Sequence, residues 1–259
     1  MADWGIGSYE LTAAQLVPVA AVAIDAVEPV AGKNLLDLAC GTGNASLEAA
    51  SRGARVSGID PAARLLEVAR GRAAEAGLEA DWIQGDFHTL PFDNNSVDII
   101  TSVFGVIFGA DEDDIAGEIA RVLAPAGRIA ITTWIDLGAM STVGKLIRAA
   151  VEEKVSLPPE DRPRFDWGDQ DNLKLLFANH GISIQTETRR ISFHADSARQ
   201  MSDEWADNHP VWLATREAVG DERYDRLRAD ILATLEAGNE DPAAMKLTSD
   251  YLLVTGSPV

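Results

Sequence analysis

A chain of 259 residues, 46% hydrophobic and 24% charged, is long enough for one large α/β domain or a core with an added lobe, and its composition is that of a globular protein. Its formal charge of −19, from 41 acids against 22 bases, repels phosphate backbones and argues against a nucleic-acid partner.

In chain order, the segment before Gly32 reads as a helical entry, bent or divided at Pro18. Its apolar stretch "AAQLVPVAAVAI" (13–24) is too short to span a bilayer and contains Gln15 and Pro18. No basic residue precedes Lys33, which disfavours a secretory signal, and the single cysteine, Cys40, fits a reducing compartment. A cytoplasmic protein free of the membrane is therefore expected. From 34 to 134 short apolar runs alternate with helical patterns. Strands are expected at 34–40, 54–60, 80–86, 97–104 and 128–134, and helices at 44–52, 61–76 and 112–123. Pro61 reads as a first-turn residue of the second helix. Such alternation implies a parallel sheet with helices on both faces. Beyond 134 the alternation breaks. A helix over 139–155 leads into a loop rich in proline and charge, then a helix at 169–179 and a strand at 182–193. A mostly helical stretch over 197–237 precedes a last strand at 246–256.

Glycines between a strand and a helix permit a tight turn and let backbone approach a ligand closely, which is the reading for Gly41 and Gly43 in "LLDLACGTGNAS" (35–46). Asp37 lies just before that turn, Asp60 ends the second strand and Asp86 ends the third. All three point to the carboxyl edge of the sheet, where open α/β sheets bind ligands. A dinucleotide fingerprint would need a third glycine where Ser46 stands, and a phosphate-binding loop would need Gly-Lys-Ser/Thr. An acid-lined crevice suits a ligand with ribose hydroxyls, an amine and a cationic centre; S-adenosylmethionine is such a ligand.

The chain resembles the class I S-adenosylmethionine-dependent methyltransferases, in particular the group similar to ubiquinone/menaquinone-biosynthesis and small-molecule enzymes. The resemblance runs over 34–134 through "LLDLACGTGNAS", "VSGIDPAARLLEVAR", "GDFHTLPFDNNSVDIITSVFGVIF" and "RVLAPAGRIAITTW". Ala39 replaces the first glycine of the first motif, a mild change if its φ stays negative. The resemblance implies a Rossmann-like seven-stranded sheet of order 3-2-1-4-5-7-6 with helices on both faces and a helical lid. It implies a single domain over 1–259, with a cofactor core over 30–136 and lid or substrate elements at 1–29, 138–166 and 197–240. Ala39, Gly41 and Gly43 would lie under the methionine part near Asp37, and Asp60, with Pro61 beside it, would hold the ribose. Asp86 would accept from the adenine amino group while the Phe87 amide donates to the ring. Ser102 would face the methionine amine through its carbonyl, and Tyr9 would close over the methionine end. The long stretch between the last two strands would pack as helices over the cofactor mouth.

The expected activity is methyl transfer to O, N or C of a small acceptor in secondary or quinone-type metabolism, by a monomer or homodimer. The alternative is a protein of the same fold that binds the cofactor without methylating, as scaffold, sensor or catalyst of a rearrangement or cyclisation. A NAD-dependent oxidoreductase is weakened by Ser46. Where the acceptor must lose a proton, His209 is the candidate base and His194 the second. The four histidines share no metal spacing, and the acids at 111–114 read as a helix start, so no metal is expected. Cys40 lies within the turn, where a small side chain suffices. Trp205 and Trp212 read more readily as core than as substrate-stacking residues.

Overall fold

A computed structural model describes residues 3–155 and 165–259; the part of the expected lid at 156–164 lies outside them. The elements, in chain order, are α1 (Glu10–Gln15), α2 (Val17–Asp25), β1 (Asn34–Leu38), α3 (Asn44–Ser51), β2 (Arg55–Asp60), α4 (Ala63–Ala76), β3 (Asp81–Gln84), β4 (Val97–Val103), α5 (Glu112–Val122), β5 (Leu123–Trp134), α6 (Gly138–Val155), α7 (Gln170–Asn179), β6 (Ile182–Ala195), α8 (Ala198–Asn208), α9 (Pro210–Val219), α10 (Asp221–Ala237) and β7 (Met245–Pro258). The helical entry is divided at Leu16, with Pro18 in the first turn of α2. The chain separates into two compact units. Among the described residues, a sheet unit comprises 16–134, 165–189 and 251–259, and a helical unit comprises 3–15, 135–155 and 190–250.

The strands form one seven-stranded sheet of order β3-β2-β1-β4-β5-β7-β6. β1 pairs in parallel with β2 and β4, with Leu36 opposite both Ser57 and Ile100, and β7 is antiparallel to β5, with Ile131 opposite Val254. Leu35, Val56, Ile99 and Ala130 present one sheet face to Ala20, Ala23 and Ile24 of α2 and to Ala45 and Ala49 of α3. Leu36, Ile100, Ile129 and Ile131 on the opposite face are fully buried as well. Burial on both faces accounts for near-continuous apolar strands with no alternating pattern. Pro61 stands outside α4, contrary to the first-turn reading: the N-cap is Ala62, whose amide donates to Asp60 Oδ1 at 2.8 Å. That bond turns the chain for one further residue before the helix begins.

In the helical unit, the stretch after β6 resolves into α8, α9 and α10. Their buried faces carry Trp205, Trp212, Tyr224, Leu227 and Ile231. Trp205 meets Trp212 and Phe193 edge to face, with ring centroids 5.8 and 6.3 Å away, so both tryptophans are core residues. Ser197 caps α8 through the Gln200 amide. No helix among the described residues is long and apolar enough to cross a membrane.

Candidate functional site

The site grows from the end of β1. The backbone leaves the strand through Ala39 (φ 51°), Gly41 (φ 54°) and Gly43 (φ 81°), three left-handed residues in five. The Gly43 amide donates to the Cys40 carbonyl at 2.8 Å and closes the turn, and the Leu47 amide to Gly43 O, also 2.8 Å, starts α3. The negative φ on which a mild Ala39 substitution depended is not what the chain adopts. Ala39 takes a left-handed conformation, which costs an L-residue roughly 1–2 kcal/mol.

Gly43 is the N-cap of α3 and has no side chain to cap it. Asp37 does so from β1: its Oδ2 accepts from Ser46 N at 3.0 Å and from Ser46 Oγ at 2.7 Å, and its Oδ1 accepts from Thr101 Oγ1 at 3.1 Å. Ser46, where a dinucleotide fold would put glycine, thus locks the acid to the helix. Asp37 is 2% exposed, and burial pushes its carboxyl up to about 6 although the bonds from Ser46 and Thr101 pull it down. Asp60, at the end of β2, holds the other side of the turn. Its Oδ2 accepts from Gly41 N at 2.8 Å, and burial raises its pKa. Each Asp60 oxygen accepts one backbone amide and retains capacity for a second donor.

A Cβ built on Gly43 would lie 2.7 Å from Trp82 Cη2 and 3.2 Å from Ala69 Cβ. The Trp82 ring thus crowds position 43 independently of any ligand. The Trp82 ring also covers Gly58 and nears Cys40, whose buried thiol is pushed well up in pKa and is not poised as a nucleophile.

Strand β4 ends beside β1, where the sheet order reverses. Ser102 is fully buried one residue inside the strand end. Its Oγ donates to Leu38 O at 2.9 Å and accepts from Val106 N at 3.1 Å, so the hydroxyl ties the two strand ends together. Phe104 follows with φ 55°, uncommon for a bulky residue. Its ring stacks on Trp134 with centroids 3.7 Å apart and its amide donates to Thr132 Oγ1 at 3.0 Å. Asp86 is exposed and accepts from His88 N at 2.8 Å, while Phe87 is buried with its ring against Gly109.

Asp37, Ala39, Gly41, Gly43, Asp60, Pro61 and Ser102 therefore gather at the carboxyl ends of β1, β2 and β4. Tyr9 and His209 belong to the helical unit, where their rings pack edge to face at 5.8 Å and each meets Trp4, at 5.2 and 5.8 Å. His209 is the N-cap of α9, and its Nδ1 accepts from Val211 N at 3.3 Å. An accepting Nδ1 assigns the ring proton to Nε2, and desolvation pushes the pKa down to about 4. At neutral pH the ring is then an uncharged donor whose Nδ1 lone pair caps the helix. His194 donates its amide to Gln15 Oε1 at 3.0 Å. The acids at 111–114 start α5, as read, and no group of three or more metal-ligating side chains occurs among the described residues.

Sequence reasoning missed Trp82 and Thr101, which act across strands, and Phe104, whose φ no motif announces. It also missed Arg72, whose neighbours on α4 include two other arginines.

Residues 35–127 match the family model of a methyltransferase domain. An uncharacterised protein of Mycobacterium tuberculosis is 34% identical over 194 residues, 74% of this chain and 69% of its own length. The demethylmenaquinone methyltransferase of Thermus thermophilus is 40% identical over 111 residues, 42% of this chain and 50% of its own. Among solved structures, the geranyl diphosphate C-methyltransferase of Streptomyces coelicolor, in complex with Mg2+, geranyl diphosphate and S-adenosyl-L-homocysteine, superposes with a TM-score of 0.55 at 14% identity, over 93% of this chain and 78% of that one.

Proposed function

Because the chain belongs to the class I S-adenosylmethionine-dependent methyltransferases, we propose that it methylates O, N or C of a small organic acceptor, in secondary or quinone-type metabolism. The observation that carries the site assignment is the pair of buried acids, Asp37 and Asp60, fastened to one left-handed turn where the strand order reverses. Asp60 keeps acceptor capacity for two ribose hydroxyls, with Pro61 beside it. Ala39, Gly41 and Gly43 would hold the methionine part near Asp37, with the Ser102 carbonyl towards its amine. Asp86 and the Phe87 amide would take the adenine edge, and Tyr9 would cover the methionine end. When bound, the cofactor supplies a methyl group on an electrophilic sulfonium. What the chain adds is placement of the acceptor in line with that bond. With the His209 lone pair engaged, placement is the better account than proton removal by that ring. The helical unit is the part we propose to read the acceptor. The charge of −19 supports an acceptor other than nucleic acid, and the protein is proposed to work in the cytoplasm as a monomer or homodimer.

The test is a screen with methyl-labelled cofactor against phenols and quinols, alcohols, amines and carbon acids, run beside calorimetric binding. Asp60→Ala is expected to weaken cofactor binding by about 2–3 kcal/mol. Unchanged affinity in a variant with an intact circular dichroism spectrum would overturn the ribose assignment. Labelling of macromolecules with no small acceptor labelled would overturn the acceptor class.

A further inference from the structure

The glycine turn is held by three charged side chains from three elements, and the third is a cation. Arg72, in the third turn of α4, points Nη1 at Thr42 O (2.6 Å), Asn44 Oδ1 (2.8 Å) and Thr42 Oγ1 (3.2 Å). Among the described residues it forms no ion pair. Burial lowers its pKa, with no carboxylate to offset the cost. A half-buried guanidinium facing a helix N-terminus gains nothing from the helix dipole, which favours anions there. The turn explains it instead. In a helix begun one residue earlier, Thr42 O would receive the Ser46 amide, but Asp37 has taken that amide. Arg72 supplies a donor to the acceptor that Asp37 displaces.

We propose that Arg72 is a positioning residue for the cofactor. By holding the Thr42 carbonyl and the Asn44 side chain, it fixes the peptide between Gly41 and Gly43 in the orientation that receives the methionine part. The proposal rests on the reading that this turn is the cofactor site. All three contacts are made by one nitrogen, whose two hydrogens serve three acceptors; a Lys ammonium offers enough donors but on a shorter side chain, so it reproduces the arrangement only in part.

The experiment titrates S-adenosylhomocysteine calorimetrically into the full chain and into Arg72→Met, Arg72→Lys and Asp60→Ala. Melting curves of each unliganded protein are recorded in parallel. Arg72→Met, which keeps an apolar stem and loses every donor, is expected to bind about tenfold more weakly. Arg72→Lys should recover part of that loss, and millimolar methylguanidinium should recover binding by Arg72→Met. Wild-type affinity in Arg72→Met overturns the proposal when Asp60→Ala binds weakly; if both variants bind normally, it is the location of the cofactor site that fails. A weakened Arg72→Met that neither lysine nor methylguanidinium restores also overturns it, because the residue would then support the fold alone.

Discussion

Ala39 and Phe104 stand side by side at the ends of the two central strands, each in a backbone conformation that favours glycine. Their cost is local and can be measured. Ala39→Gly is expected to raise stability by about 1 kcal/mol, since relief of the left-handed strain exceeds the added entropy of an unfolded glycine. For a chain of this size that is a rise of roughly 2–4 °C in melting temperature, read by calorimetry. An unchanged or lower melting temperature would mean that the packing of the Ala39 methyl, towards the position a Gly105 side chain would occupy, outweighs the strain. Position 39 was legible as a departure from a glycine motif, but its consequence was not, because the sign of φ is set by the turn and not by the residue. Asp37 was likewise legible as an acid at the strand end. Its inward bonds to Ser46 and Thr101 depend on where β4 lies, which no local pattern contains.

Elements were more legible than contacts between them. Continuous apolar runs broken by glycine marked the strands, and the helix expected over 169–179 spans Gln170–Asn179, with His180 as its C-cap. Trp82 escaped because it acts from β3 on a turn nearly forty residues earlier in the chain. Its presence changes what a substitution at Gly43 reports. Gly43→Val is expected to lose roughly 2–4 kcal/mol of stability, from left-handed strain together with overpacking against Trp82. Melting and tryptophan fluorescence should both shift, and any loss of cofactor binding would be secondary to that damage. A Gly43→Val protein with native melting and fluorescence would show that the tryptophan ring yields at little cost.

At the scale of the molecule, the alternation of elements implied a parallel sheet and the family resemblance its strand order, whereas neither divided 197–237 into three helices. His209 and Pro210 mark one of those breaks, and the histidine that looked chemical is there a cap. The surplus of acids gives the whole protein a pH response. The carboxyl of Asp37 is raised to about 6, so this group stabilises the unliganded fold fully below its unfolded value of about 3.9, and the contribution is lost as pH rises through about 6. A cationic ligand at the proposed site selects the ionised form and responds in the opposite sense. Affinity for S-adenosylmethionine is expected to fall by up to about tenfold from about pH 7 to about pH 5, while the uncharged-sulfur product changes less. Calorimetric titration of both ligands across that range checks it; parallel pH profiles would show that Asp37 does not couple to the cofactor's charge.

That difference between ligands bears on turnover. Donation of the methyl removes one positive charge from the molecule that stays behind, while the protein keeps its net charge of −19. The spent cofactor is therefore expected to be held less tightly than the fresh one, so that exchange runs downhill and product inhibition is mild. Added salt, by screening the exposed part of that field, should weaken the hold on the fresh cofactor and narrow the gap.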